Sequence, residues 1–350
     1  MVYIQWTLLF IPLCEGQFAV LSSYIRIMNR IAFIIPYYGK FNSYFPLWLK
    51  SCGYNADVAD FFVITDIPYG DIIPKNVKFI FFTWKGLIDR IQSFYDFKIA
   101  LDTPYGLCDY KCAYGEIFND LIKDYSHWAY GDNDLIWGKW SDFLPANWYE
   151  YDKMGDFGHL TIVKNDDVMN RIYRYREAYK IAFSDSRNLF FDERGFNVIV
   201  NKHSKKTFSF KIADCNPRVK KLSSITPLND IESGLFEWSE GTLSHLSLYG
   251  HSIAREDVMY IHFLKRPMSV KRSEVGHEHF LMIYGNTIEV TDSEGCLIER
   301  ISKCSRNEFY FGYWIKYLSI KQLSKTLKAK LAPVSEKVRK INDIIIRDAF

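Results

Sequence analysis

From Ile31 onward the apolar residues fall in short unbroken runs separated by helix-length stretches. IAFIIPYYG (31–39) reads as a buried strand closing in a Pro/Gly loop, and FPLWLKSC (45–52) as a helix. DFFVITD (60–66) reads as a second buried strand ending on Asp66, and VKFIFFT (77–83) as a third. Strands built from continuous Ile, Val and Phe are apolar on both sides, which a parallel sheet covered on both faces requires. Ligands of such sheets bind at the carboxyl ends of the strands.

In DYKCAYGEIFNDLIKDY (109–125), Ala113, Ile117 and Leu121 recur every four residues beside Tyr110, Tyr114 and Phe118, the pattern of an amphipathic helix. The short strand His127–Tyr130 follows, and AYGDNDLIWG then carries Asp132 and Asp134 just past it, at the ligand edge of the sheet. HLTIVKN (159–165) is a strand, followed by a helix from Asp166 to Ile181 with Asn165 as N-cap and two acids in its first turn. FFDERG (190–195) is a loop. The remainder looks antiparallel: LFEWSEGTLSHLSLYG, DVMYIHFLKRP and a hairpin in FLMIYGNTIEVTD that turns at Gly285 and Asn286. The fold class expected is α/β, a Rossmann-type central sheet with helices on both faces, plus a smaller antiparallel β part and C-terminal helices.

Length and charge narrow the function classes. The 350 residues are 48% apolar and 17% aromatic, ample for a core. Forty-four basic side chains against 41 acidic ones are too even for a nucleic-acid binder on electrostatic grounds. Seven scattered cysteines with no CxxC pair fit a reducing, cytoplasmic compartment, and Cys108 and Cys112, four apart with no second ligand pair, read as small core residues rather than a zinc half-site. The apolar segment before Ile25 is interrupted by Glu15 and Gln17, so it makes a poor signal peptide and a poor anchor. Because Met28 immediately precedes a well-formed strand, residues 1–27 read as a mis-assigned translation start within an N-terminal extension, 1–29. A main domain is expected over 30–270, with a β-hairpin and basic helical region, 271–350, packed on it. Residues 321–350 hold eight basic and three acidic side chains, a net +5, which leaves the other 320 residues at −2 of the whole-chain +3. VSEKVRKINDIIIRDAF can form a helix with a basic face, either a peripheral contact with an anionic membrane or a helix packed on its own domain.

Two carboxylates at i and i+2 in a loop can converge on one hard cation, Mg2+ or Mn2+, whose open positions phosphate oxygens then fill. A lone Asp-x-Asp is a weak motif, and its plain alternative is a solvated turn whose acids cap backbone amides. Position at the sheet edge, with a partner further along, raises the functional reading.

The stretches IAFIIPYYGKFNSYFPLWLKSC, FFVITD, TPYGLCDYKCAYGEIF, WAYGDNDLIWG, GHLTIVKN, FFDE and YIHFLKRPM, in that order over residues 30–270, resemble glycosyltransferases of bacterial capsule and surface-polysaccharide clusters with a GT-A-like nucleotide-sugar fold. Tyr130 and Asn133 depart from the residues expected around the paired acids. The resemblance implies that Asp134 ligates the metal and that Asp132 contacts the ribose or a metal-bound water. It matches His262 to the histidine that completes the metal site, with Lys265 and Arg266 near the diphosphate. The alternative for His262 is a satisfied core histidine. Asp109 and Lys111 match a polar patch near the donor, or else are a helix-terminal acid beside a solvated lysine.

Asp66 is a candidate for nucleoside recognition, or a cap, and Pro36, Tyr37 and Tyr38 could frame the base. Asp192 and Glu193, after two Phe residues, are the candidates for the general base that deprotonates an acceptor hydroxyl, since desolvation raises carboxylate basicity. His159 either lines the acceptor side or is a packed core residue. The expected activity is transfer of a hexose from a nucleoside-diphosphate sugar to a growing surface polysaccharide or lipid-linked glycan, at the inner face of the cytoplasmic membrane. Two other classes stand beside it: a non-catalytic carbohydrate-binding protein of the same fold, and a metal phosphoesterase, which would need more clustered ligands.

Overall fold

The computed structural model describes residues 29–203, 206–214, 225–227, 235–249, 252–264, 268–272, 280–284, 287–291 and 335–346. The expected start at Met28, the turn at Gly285 and Asn286, and the basic pair Lys265 and Arg266 lie outside the described residues.

The strands are β1 Ile31–Pro36, β2 Ala59–Thr65, β3 Val77–Phe81, β4 His127–Gly131, β5 Leu135–Trp137, β6 Lys153–Phe157, β7 Leu160–Lys164, β8 Thr207–Phe208 and β9 Ile212–Asp214. They continue with β10 Ile225–Pro227, β11 Leu235–Ser239, β12 Thr242–Tyr249, β13 Ser252–Asp257, β14 Tyr260–His262, β15 Ser269–Arg272, β16 Phe280–Tyr284 and β17 Thr287–Thr291. The chain is mixed α/β. Its seven-stranded sheet has the order β3-β2-β1-β4-β7-β6-β8, with β1 to β4 mutually parallel and β7 returning antiparallel to β4.

The unbroken apolar run of β1 serves both faces of this sheet. Ala32 and Ile34 join a core with the helical segments, while Ile31, Phe33 and Ile35 join a second core on the opposite side. That opposite side is covered by helix α1, Phe45–Gly53, which buries Phe45, Trp48 and Leu49, and by residues of a four-stranded sheet, order β10-β9-β14-β5. Most helical segments therefore lie on one face, an asymmetry with a simple cause. Trp137, Phe210 and Tyr260, from the four-stranded sheet and the segment entering it, supply the apolar cover that a second helical layer would otherwise provide.

A third core lies between that small sheet and a six-stranded sheet, order β13-β12-β11-β16-β17-β15. This sheet joins β11–β13 to β15–β17, so the boundary expected at residue 270 runs through a hydrogen-bonded unit. The segment DVMYIHFLKRP, expected as antiparallel, places β14 between antiparallel β5 and parallel β9.

The helix expected over 109–125 is instead a chain of short turns: Leu107–Tyr110, Lys111–Ala113, Tyr114–Ile117 and Asn119–Ile122. Residues 109–115 are all buried, so no polar side exists for one amphipathic helix to present. Gly115 lies so close to the Trp128 indole that a Cβ would come within 2.5 Å of it. The helix expected over 166–181 breaks where Arg176 and Glu177 take positive φ. Its N-cap is Asp166, which accepts from the Met169 N–H at 2.8 Å, whereas Asn165 donates to the Ile122 and Tyr125 carbonyls. The expected loop at 190–195 is a wide helical turn, Phe191–Gly195, running on into the helix Phe196–His203.

The C-terminal helix, residues 335–346, buries Ile341 and Ile345 in the helical-side core, and Lys337 reaches Asp185. Its exposed positions include Glu336, Arg339, Lys340 and Asp343, of both signs. The basic face expected for membrane contact is therefore reduced to Arg339 and Lys340 on this helix. Among the described residues no helix is long and apolar enough to cross a membrane.

His127 opens β4 fully buried, its ring nitrogens meeting Ser126 Oγ and the Tyr151 carbonyl. Burial lowers its pKa to about 4, so the folded protein holds it neutral. A lowered pKa on a base means that the unfolded chain binds the proton first. Stability is complete above the unfolded pKa near 6.5 and falls as pH drops towards 4, by about 3 kcal/mol. Urea unfolding should show the gap between wild type and His127→Gln shrinking by that amount from pH 7.5 to pH 4.

Candidate metal centre and its surroundings

Only the tripeptide Asp132–Asn133–Asp134 separates β4, in the large sheet, from β5, in the four-stranded one. The chain thus changes sheets at the carboxyl end of a parallel strand. Gly131 makes the crossing possible: a Cβ there would meet the His159 carbonyl oxygen at 2.4 Å and Phe33 at 2.9 Å. Two registers then fix the neighbours. Gly131 pairs with Leu160, which sets His159 beside Asp132, and the Asp132 N–H donates to the His159 carbonyl. On the other side His262 pairs with both Leu135 and Asp214.

These registers bring the sequence-predicted trio together. Ligand atoms of Asp132, Asp134 and His262 lie within 4.8 Å of one another, and His262 Nε2 is 3.5 Å from Asp134 Oδ1. Asp134 and His262 are buried while Asp132 is partly open, so the cluster has one accessible edge. Two carboxylates and one imidazole suit Mn2+ better than Mg2+, which prefers oxygen alone. Burial opposes charge on the imidazole, but Asp134 and Asp214 on either side lift its pKa to about 10. A cation taking Nε2 must displace that proton, so binding weakens as pH falls.

Lys111, buried, spans the site: its Nζ donates to Asp132 Oδ1 at 2.6 Å and to the Gly158 carbonyl at 2.8 Å. Burial disfavours the ammonium, yet Asp132, with Asp192 also contributing, holds it charged. Asp192 and Glu193 reach the same place from the turn Phe191–Gly195. A Cβ on Gly158 would sit 2.5 Å from Asp192 Oδ2, and Glu193 Oε1 accepts from the Gly158 N–H at 3.0 Å. Burial pushes the Asp192 carboxyl well up, partly offset by Lys111. That agrees with the expected desolvation, but Asp192 is sealed while Glu193 is partly open.

The remaining candidates divide. Tyr37, just after Pro36 at the end of β1, stacks on Phe41 at 5.2 Å and lies beside Asn133 and Asp134, next to the cluster. Tyr38 is buried, donating to the Phe82 carbonyl at 2.9 Å and meeting Trp84 edge-on, so it is a packing residue. Asp66 Oδ2 accepts from the Trp84 N–H at 3.4 Å, at the start of helix α2, Trp84–Gln92, which is the capping alternative. Asp109 is not open to a donor: its two oxygens accept from the Leu189 and Phe191 N–H groups at 2.8 and 2.7 Å. Burial raises its pKa to about 6 in spite of those bonds. His159 is buried, and so is Asp214, the last residue of β9, which nothing in the local sequence marks as part of a site. A cavity of about 260 Å3 lined by Arg90, Phe94, Glu116, Asp120 and Arg171 lies among the helical segments and shares no residue with this cluster.

Asp109→Ala leaves two buried N–H groups unpaired and should cost about 2 to 4 kcal/mol in urea unfolding. The same change should loosen the turn that carries Asp192 and Glu193, read as faster amide exchange at Leu189 and Phe191.

No curated protein matches the chain. Residues 33–291, most of its length, match the family described as Family of unknown function (DUF6625), and the chain belongs to that family.

Proposed function

We propose that the protein is a metal-dependent glycosyltransferase with a GT-A-like fold, transferring a hexose from a nucleoside-diphosphate sugar to a surface polysaccharide or lipid-linked glycan. The observation carrying this reading is the convergence of Asp132, Asp134 and His262 at the carboxyl edge of the parallel strands, with the Lys111 cation beside them. Asp134 and His262 hold the ion. Lys111 occupies Asp132 Oδ1, which leaves that carboxylate's second oxygen for the ion, its water or a ribose hydroxyl. Bound Mn2+ or Mg2+ supplies charge neutralisation for the departing diphosphate.

Tyr37 and Asn133 line the approach to Asp134, and Tyr37 offers a ring for stacking a base. Acceptor deprotonation falls to Glu193, the more accessible of the two carboxylates, because a general base must touch the hydroxyl it activates. Asp192, buried and electrostatically coupled to Lys111, would tune the charge beside the cluster. Contact with an anionic membrane would use Arg339 and Lys340, the exposed basic side chains of that helix, whose Ile341 and Ile345 are buried.

Thermal unfolding with Mn2+ and a panel of nucleoside diphosphates tests the reading. One diphosphate should stabilise the protein only with metal present, by about 2.7 kcal/mol at roughly 100 times Kd. Asp134→Asn should abolish that gain. Stabilisation by oligosaccharide with no nucleotide effect would favour a carbohydrate-binding role, and release of phosphate from simple esters a phosphoesterase.

A further inference from the structure

We infer that Asp214 is the carboxylate that orients His262 towards the cation, a positioning role that rests on the metal-site reading above. The two residues are paired across the parallel strands β9 and β14, so their side chains share a face. His262 Nδ1 lies 3.3 Å from Asp214 Oδ1, and Nε2 lies 3.5 Å from Asp134 Oδ1. A neutral imidazole offers a lone pair on one nitrogen only when the other carries the proton. Once a cation takes the place of the Nε2 proton, Asp214 accepts Nδ1–H, which fixes the tautomer and leaves the Nε2 lone pair for an ion held with Asp132 and Asp134.

The support continues one layer further. Asp214 Oδ2 faces His159 Nε2 at 3.8 Å, and His159 Nδ1 meets the Tyr260 hydroxyl at 2.7 Å. With the Tyr260 O–H donating to Nδ1, the Nε2 proton of His159 points at Asp214. The His159 ring is clamped between Phe157, 5.0 Å away with planes at 4°, and His262, 4.2 Å away with planes at 17°.

His159, Asp214 and His262 also lie within 4.8 Å of one another and offer a rival chelate. Geometry decides against it. Imidazole lone pairs lie in the ring plane, so two nearly parallel stacked rings direct them side by side instead of at one point. All three residues are buried as well, whereas the Asp132 group has an accessible edge through which an ion and phosphate oxygens can enter.

The test is isothermal titration of Mn2+ into the full chain at pH 7.5, together with nitrogen NMR of histidine-labelled protein loaded with Cd2+. Wild type should bind Mn2+, Asp134→Asn should lose binding, and Asp214→Asn should bind about 10- to 100-fold more weakly. In the Cd2+-loaded wild type His262 should carry its proton on Nδ1, and in Asp214→Asn that single tautomer should be lost. Unchanged Mn2+ affinity and tautomer in a folded Asp214→Asn would overturn the positioning role while leaving the metal site standing. Failure of wild type to bind Mn2+ would remove both. Should Asp214→Asn not fold, the wild-type spectrum decides: cadmium on Nε2 supports the assignment, and cadmium on Nδ1 overturns it.

Discussion

The three-residue passage from β4 to β5 is the constraint on which the rest of the site depends. A chain leaving the large sheet at Gly131 and entering the small one at Leu135 has no room for a loop, so Asp132 and Asp134 are held where two sheets meet. The backbone there is tied on both sides, by the Asp132 N–H to the His159 carbonyl and by the Phe263 N–H to the Asp134 carbonyl at 2.8 Å. Strand pairing then delivers His262 and Asp214 without any further device. Rigid elements, not a mobile loop, therefore set the geometry of the cluster.

The cost of this arrangement is a concentration of charge in a dry place. Lys111, Asp134, Asp214 and His262 are all buried within a few ångströms of charged neighbours. Buried ion pairs seldom repay their desolvation as stability, and replacing them with apolar groups is often neutral or better. Elsewhere the three cores are filled almost wholly by aliphatic and aromatic side chains, with the exceptions largely hydrogen-bonded to backbone, as Asn55 and Asn76 are. A cluster of perturbed acids and bases at the carboxyl edge of a parallel sheet is what a binding site looks like in such a fold.

Much of the architecture was legible in the sequence. The inner strands β1 and β2 announced themselves as unbroken apolar runs, because burial on both faces leaves no polar alternation, whereas the edge strand β3 leaves Lys78 and Phe81 exposed. The pairing of Asp132 with Asp134 was visible too, and the resemblance singled out His262, although its contact with Asp134 depends on the pairing of β14 with β5. Asp214 was illegible: it stands alone in KIADCN, 48 residues before His262, and only the pairing of β9 with β14 makes them neighbours. Asp109 shows the opposite case, since an acid two residues from the buried Lys111 resembles part of a site even though its oxygens hold a backbone turn. The segment after it failed as a helix because its aromatics are enclosed on every side, and periodicity speaks only for half-buried elements.

The central claim is that Asp132, Asp134 and His262 hold one divalent cation. Anomalous diffraction from crystals soaked in Mn2+ tests it most directly. The claim predicts a single manganese peak at about 2.0 to 2.3 Å from Asp134 oxygen and His262 Nε2, with Asp132 bound directly or through one water. A peak enclosed by His159 and Asp214 instead, or manganese found only at surface carboxylates, would contradict it.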